Sequence, residues 1–209
     1  MPKATIELYP AQDDFVHCPH RFTAMIGGIG SGKSYAGCVK AFVRASERKV
    51  LLMVTAPTYP MLRDATLRTF MDMAGPFVRD FYKSEMIATL VNGSEVLFRS
   101  TENPDRLRGP NLHGWFGDEA ALYDRNVWPI MIGRLRADGK AGEAWLATTP
   151  KGRNWLYERQ GEITIFRAKT RDNPYLSEEF VSSLEAAYSG SFARQELEGE
   201  FVSFEGLVY

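Results

Sequence analysis

Short apolar runs recur along this chain, each closing on glycine, proline, a hydroxyl or an acid, with amphipathic stretches between them. Residues 22–26 predict a strand that runs into a glycine-rich turn. Residues 34–48 place apolar side chains along one side and end in basic ones, the pattern of an amphipathic helix. Residues 50–55 are apolar almost throughout, as a parallel strand buried on both faces would be. Ala56-Pro57-Thr58-Tyr59-Pro60 stops that run, and helical spacing follows to about residue 82. Residues 86–91 and 95–99 flank Asn92-Gly93-Ser94, a hairpin signal. Residues 113–117 predict another strand, and residues 120–136 a helix that Pro129 should kink or break. Two more strands follow at 144–148 and 163–169, then two helices within 177–198 around Ser189-Gly190. Strands separated by helices predict an α/β fold with a mostly parallel central sheet and an inserted β-hairpin. Such sheets bind ligands at the carboxyl ends of their strands.

Composition narrows the class without naming it. The chain has 209 residues, 44% of them hydrophobic, which suits one domain able to bury a core without disulfides or metals. Its net charge of −1 offers no global basic field, so contact with nucleic acid would have to come from local patches or several subunits together. Lys3 is followed by Glu7, Asp13 and Asp14 rather than by the apolar run of a secretory signal. Cys18 and Cys38 are therefore expected to be reduced thiols in a cytoplasmic setting. His17-Cys18-Pro19-His20 matches no common zinc spacing. No internal repeat or low-complexity tract interrupts the chain, and residues 50–54 are too short an apolar run to span a membrane.

The chemistry gathers at the predicted strand ends. Gly27-Gly28-Ile29-Gly30-Ser31-Gly32-Lys33-Ser34 satisfies G-x-x-x-x-G-K-[ST] between a strand and a helix. Glycines let the backbone wrap with its N–H groups turned toward phosphate oxygens, and the following helix adds its positive end. Lys33 would reach the β- and γ-phosphates of ATP, and Ser34 would offer a hydroxyl to Mg2+. Tyr35, next along, is expected to contribute to the same nucleotide site. Asp118 and Glu119 close the strand that begins near His113. Asp118 is expected to hold Mg2+ and Glu119 to orient the attacking water, since phosphoryl transfer depends on positioning and charge. Thr148 and Thr149 end a third strand, either as hydrogen-bonding partners of the γ-phosphate or as a plain strand-to-turn boundary. Lys151 and Arg153 follow as contacts to phosphate or as exposed turn residues. Arg106-Leu107-Arg108-Gly109-Pro110 is a compact basic loop. Its arginines would suit phosphoryl charge within the subunit, a neighbour's site, a DNA phosphate or simple solvation.

Taken in order, these motifs resemble the N-terminal ATPase domain of the large terminase subunit, the DNA-packaging motor of tailed bacteriophages. Tyr9-Pro10-Ala11-Gln12 resembles the family's adenine-contacting segment, with Gln12 as the base contact. Leu107-Arg108-Gly109 resembles its Leu-Arg-Gly motif. Asp118-Glu119-Ala120 matches its acidic motif, and Thr148-Thr149-Pro150-Lys151-Gly152 its coupling motif. Asp172-Asn173-Pro174-Tyr175-Leu176, Gln195-Glu196 and Gly199-Glu200-Phe201 resemble the segment leading out of the ATPase core. The resemblance implies a P-loop fold of ASCE type, with an extra strand between the P-loop strand and the acidic strand. It implies ATP hydrolysis that packages double-stranded DNA into a procapsid, a homo-oligomeric ring of five subunits on a portal, and a small terminase subunit as partner. The setting would be the host cytoplasm, with transient docking on the procapsid and no membrane. Arg108 would be the arginine acting in trans, with Arg106, Arg134 and Arg136 as rivals. Residues 1–209 would form one ATPase domain, about 170–209 leading helically toward a nuclease domain that begins near Phe204-Glu205-Gly206-Leu207-Val208-Tyr209. DNA cleavage is not expected of this chain. A helicase-like translocase shares several of these motifs, but would need a second RecA-like domain.

Overall fold

The computed structural model describes residues 5–203. In chain order the elements are α1 (Pro10–His17), β1 (Phe22–Gly27), α2 (Lys33–Glu47), β2 (Leu51–Ala56) and α3 (Tyr59–Met61). A π-helical turn (Leu62–Leu67) leads into α4 (Arg68–Ala74), then β3 (Val78–Tyr82), β4 (Ile87–Leu90), β5 (Glu95–Ser100) and β6 (Gly114–Asp118). The rest comprises α5 (Val127–Ile132), β7 (Glu143–Thr148), α6 (Trp155–Glu158), β8 (Thr164–Ala168), α7 (Glu178–Ala187) and α8 (Gly190–Glu198).

One sheet of eight strands runs β3-β4-β5-β2-β6-β7-β1-β8. Every neighbouring pair from β5 to β8 is parallel, and β3 and β4 extend one side as an antiparallel addition. Strand β7 lies between β1, which feeds the glycine loop, and β6, which ends in Asp118. That insertion is the ASCE order. It brings the carboxyl ends of three interior strands, carrying Gly27, Asp118 and Thr148, side by side at one end of the sheet.

Period-2 alternation in the central strands divides the core in two. Met25, Phe116, Trp145 and Ala147 pack to one side with residues of α1, α2 and α4. Ile26, Met53, Trp115 and Leu146 pack to the other with α5 and α6. Buried on both sides, these strands read as unbroken apolar runs. The rings of Phe116 and Trp145 stack with centroids 6.4 Å apart, and the Trp145 indole donates to the Gly37 carbonyl at 3.0 Å. Truncating such a ring to alanine removes about 3–5 kcal/mol of stability.

Three local expectations change. Helical spacing does not continue to residue 82, because Gly75-Pro76 ends the helix and Val78–Tyr82 joins the sheet as β3. Residues 120–136 do not form one helix. A single 3-10 turn (Ala120–Leu122) ends at an extended Tyr123, whose ring is drawn into the interior, and α5 starts only at Val127. Pro129 neither kinks nor breaks α5, since it is the third residue, where an N–H would lack an intrahelical acceptor anyway. Helix α1, absent from the sequence prediction, packs Phe15 and Val16 into the core. Residues 204–209, where the nuclease domain was expected to begin, lie outside the described residues.

Candidate nucleotide and metal site

The glycine loop begins where β1 ends, and Gly32 turns it into α2 with φ +74°. A side chain there would be strained in that left-handed conformation, and its β-carbon would lie 2.4 Å from the Gln12 amide nitrogen. The loop is braced from outside. Gln12 donates to the Gly32 carbonyl at 3.0 Å, the Thr170 hydroxyl to the Ile29 carbonyl at 2.7 Å, and Asn173 to the Gly30 carbonyl at 2.6 Å. The amides of Gly28 and Ile29 donate to the carbonyls of Ala168 and Glu196. With these groups satisfied, the first-turn amides of α2 remain as anion donors, backed by the dipole of a 15-residue helix.

Facing the loop, Asp118 is buried at the end of β6 and held at both carboxylate oxygens. Ser34 Oγ donates to its Oδ1 at 2.8 Å and Thr66 Oγ1 to its Oδ2 at 2.7 Å. Burial, then the neighbouring charge of Glu119, pushes the Asp118 carboxyl up to about 6, against the opposing pull of Thr66, Ser34 and Lys33. A divalent cation would reverse that balance. The Ser34 hydroxyl and the Asp118 carboxylate are hard oxygen donors of the kind Mg2+ takes, so the residues present fit the ion.

Glu119 stands at φ 49°, ψ 42°, an unfavourable backbone for a non-glycine residue that holds about 1 kcal/mol or more of strain. The turn sends its carboxylate back toward the loop. Glu119 Oε1 is 3.7 Å from Lys33 Nζ, and Oε2 is 3.5 Å from both the Thr149 amide and the Thr148 hydroxyl. Lys33 also donates to the Gly28 carbonyl at 3.4 Å. Lys33, Ser34, Asp118, Glu119, Thr148 and Thr149 thus share one site. Beside it, Gln12, Gly32, Tyr35, Asn173 and Tyr175 line a cleft of about 450 Å³, open to solvent and wide enough for a base.

Four residues that spacing alone did not single out support this site. Thr66 touches Asp118 directly. The Tyr123 hydroxyl is 2.8 Å from the Asp118 carbonyl and 2.9 Å from that of Thr55. Thr170 and Glu196 brace the glycine loop. The sequence marks Thr66 and Tyr123 with no motif, because each reaches the site only through the fold.

The arginines are placed elsewhere. Arg108 is exposed and pairs with Asp105 at 2.8 Å, in the loop between β5 and β6, and Arg106 is exposed in the same loop. Neither hydrogen-bonds to the phosphate loop among the described residues. Arg134 and Arg136 sit at the opposite end of the strands, where the Arg134 carbonyl accepts from the Leu112 amide just ahead of β6 and Arg136 bonds Asn111. Lys151 pairs with buried Glu196 and Arg153 lies over the Tyr157 ring.

A phosphate loop between β1 and α2, an acid pair ending β6, and a polar strand end between them define a P-loop nucleotide-binding domain of the ASCE class. The family model for the N-terminal part of the terminase large subunit, T4likevirus-type, matches residues 24–209, and the chain belongs to that family. The PBSX phage terminase large subunit of Bacillus subtilis (strain 168) is 23% identical over 86% of this chain. This chain spans about half the length of the curated relatives it matches. Among solved structures, the large terminase of a thermophilic bacteriophage superposes with a TM-score of 0.81 at 18% identity, covering 92% of this chain and 53% of that one. That phage protein has also been solved in complex with ADP and with ATP-gamma-S. The large terminase ATPase domain of Thermus phage P74-26 superposes with a TM-score of 0.75 at 22% identity, covering 94% of each chain. Among the described residues no helix is long and apolar enough to cross a membrane.

Proposed function

We propose that this chain binds ATP with Mg2+ in the site described and hydrolyses it, and that the hydrolysis drives double-stranded DNA into a viral procapsid. The observation that carries the reading is the convergence of four side chains at the carboxyl ends of the central strands. Ser34 lies 2.8 Å from Asp118, and Lys33 lies 3.7 Å from Glu119. Membership of the terminase family supports the link to DNA packaging.

In this mechanism the amides of the loop and of α2 receive the phosphates, and Lys33 turns from Glu119 to the β- and γ-oxygens. Glu119, released from that ion pair, orients the attacking water and accepts its proton. Ser34 and Asp118 would hold Mg2+, which would supply positive charge against the phosphates. Thr148 and Thr149, already against Glu119, sense the γ-phosphate position. Gln12 and Tyr35 contact the base in the adjoining cleft. Residues 1–209 act as one ATPase domain, with about 170–209 leading toward a nuclease domain. The motor is a ring of five such subunits on a portal, served by the small terminase subunit in the host cytoplasm.

The test is steady-state ATP hydrolysis of the wild type and Glu119→Gln. Loss of a water-orienting base lowers turnover by about 10²–10⁴-fold. Binding of Mg·ATP is expected to persist in the variant. Hydrolysis that survives Glu119→Gln would overturn the assignment of the acid pair.

A further inference from the structure

We infer that Thr66 is a positioning residue for the metal carboxylate, delivered to it by the π-helical turn between α3 and α4. The inference rests on the assignment of Asp118 as the metal-holding acid.

Thr66 is almost fully buried, on a segment remote in sequence from both site motifs. Its hydroxyl donates to Asp118 Oδ2 at 2.7 Å, while Ser34 takes Oδ1 at 2.8 Å. The two contacts differ in kind. Ser34 is itself an expected metal donor, so its oxygen would be shared between the ion and its hydrogen bond to Asp118. Thr66 has no such competing duty. It keeps Oδ2 and leaves Oδ1 facing Ser34, the other residue that would hold the cation. Hydrogen bonds of this sort orient a ligating carboxylate and raise its affinity for metal.

The backbone around Thr66 explains how a helix can present this hydroxyl. Residues 62–67 are wound as a π-helix, a form found mostly as short bulges at functional sites. The turn is packed from within: Leu62 and Leu67 are buried, and the Thr66 carbonyl is 3.7 Å from Cys38 Sγ of α2. Thr66 is thereby tied both to the carboxylate and to the helix that follows the phosphate loop. Neither the methyl group nor the packing of threonine is needed for the bond to Asp118; the hydroxyl is.

The experiment titrates Mg2+ against binding of a fluorescent ATP analogue, and measures binding of the same analogue in EDTA. Thr66→Val keeps the shape and removes the donor. It is expected to raise the Mg2+ concentration at half-saturation by about tenfold or more, with metal-free binding unchanged. Thr66→Ser, which keeps the hydroxyl, is expected to titrate like the wild type. An unshifted Mg2+ midpoint in Thr66→Val would overturn the inference. So would equal weakening in EDTA, or a Thr66→Ser midpoint displaced as far as that of Thr66→Val, either of which marks a packing effect. Asp118→Asn separates the two levels of the argument. A shifted midpoint there with an unshifted Thr66→Val removes Thr66 alone; an unshifted midpoint in Asp118→Asn removes the metal assignment and Thr66 with it.

Discussion

Lys40 is fully buried on α2, an uncommon place for an ammonium group. It donates to the Phe15 carbonyl at 2.9 Å and to the Cys18 carbonyl and Thr23 hydroxyl at 3.3 Å each, closing the end of α1. Burial lowers its pKa to about 8, although Glu143 nearby pulls the other way. The folded chain therefore releases this proton before the unfolded chain does. Between pH 8 and 10.5 the unfolded state binds more of it, so Lys40's contribution to stability rises with pH across that window and is flat below 8. The full effect is about 3 kcal/mol. Urea unfolding of wild type and Lys40→Met should show a difference in stability that changes across about pH 8–10.5 and stays constant from about 6 to 7.5. At this scale the sequence displays Lys33, Ser34, Asp118 and Glu119, because motif spacing names them. It hides Lys40 and Thr66, whose partners lie 17–25 and 52 positions away.

At the scale of elements, helix α2 shows how packing can override propensity. Gly37 lies in its interior, where glycine is unfavourable by about 1 kcal/mol relative to alanine. A β-carbon there would lie 2.1 Å from the Phe116 ring. Gly37→Ala is therefore expected to destabilise the fold by about 1–3 kcal/mol despite its better helix propensity, measured as a lower urea midpoint at unchanged m-value. Gly37→Ala with equal or greater stability would show that the ring can move aside. The predicted strands and the two C-terminal helices formed within a residue or two at each end, because their apolar runs are bounded by strong stop signals. The departures at 78–82 and 120–136 have one cause. Apolar residues there satisfy helical spacing locally, while Gly75-Pro76 and the inward turn of Tyr123 break the helix.

For the whole molecule, the position of the arginines bears on assembly. Arg108 is exposed, tied only to Asp105, and has no hydrogen bond to its own phosphate loop among the described residues. An exposed ion pair of this kind is worth about 0–1 kcal/mol and is easily exchanged for a phosphate. If Arg108 completes a neighbour's site, ATPase activity per subunit should rise with protein concentration and level off as the ring forms. Arg108→Ala should lower the plateau by about 10³-fold or more, the size seen for an arginine supplied in trans, with nucleotide binding intact. Specific activity that is flat with concentration would exclude an arginine supplied by a neighbour, whereas a rise with concentration that Arg108→Ala leaves intact would point to Arg106 in the same loop.

By itself the sequence determined the phosphate loop, the acid pair, the α/β class and most strand positions, since each depends on residues close together in the chain. Glycine freedom, helix dipoles and apolar runs act over a few residues and leave marks that can be read in order. The tertiary structure alone decided that Thr66 reaches Asp118, that Glu196 and Thr170 brace the glycine loop, and that Lys40 closes α1. Those contacts join segments tens of residues apart. They exist because burying two apolar faces of one sheet brings the segments together, and no local pattern records which polar groups will then meet.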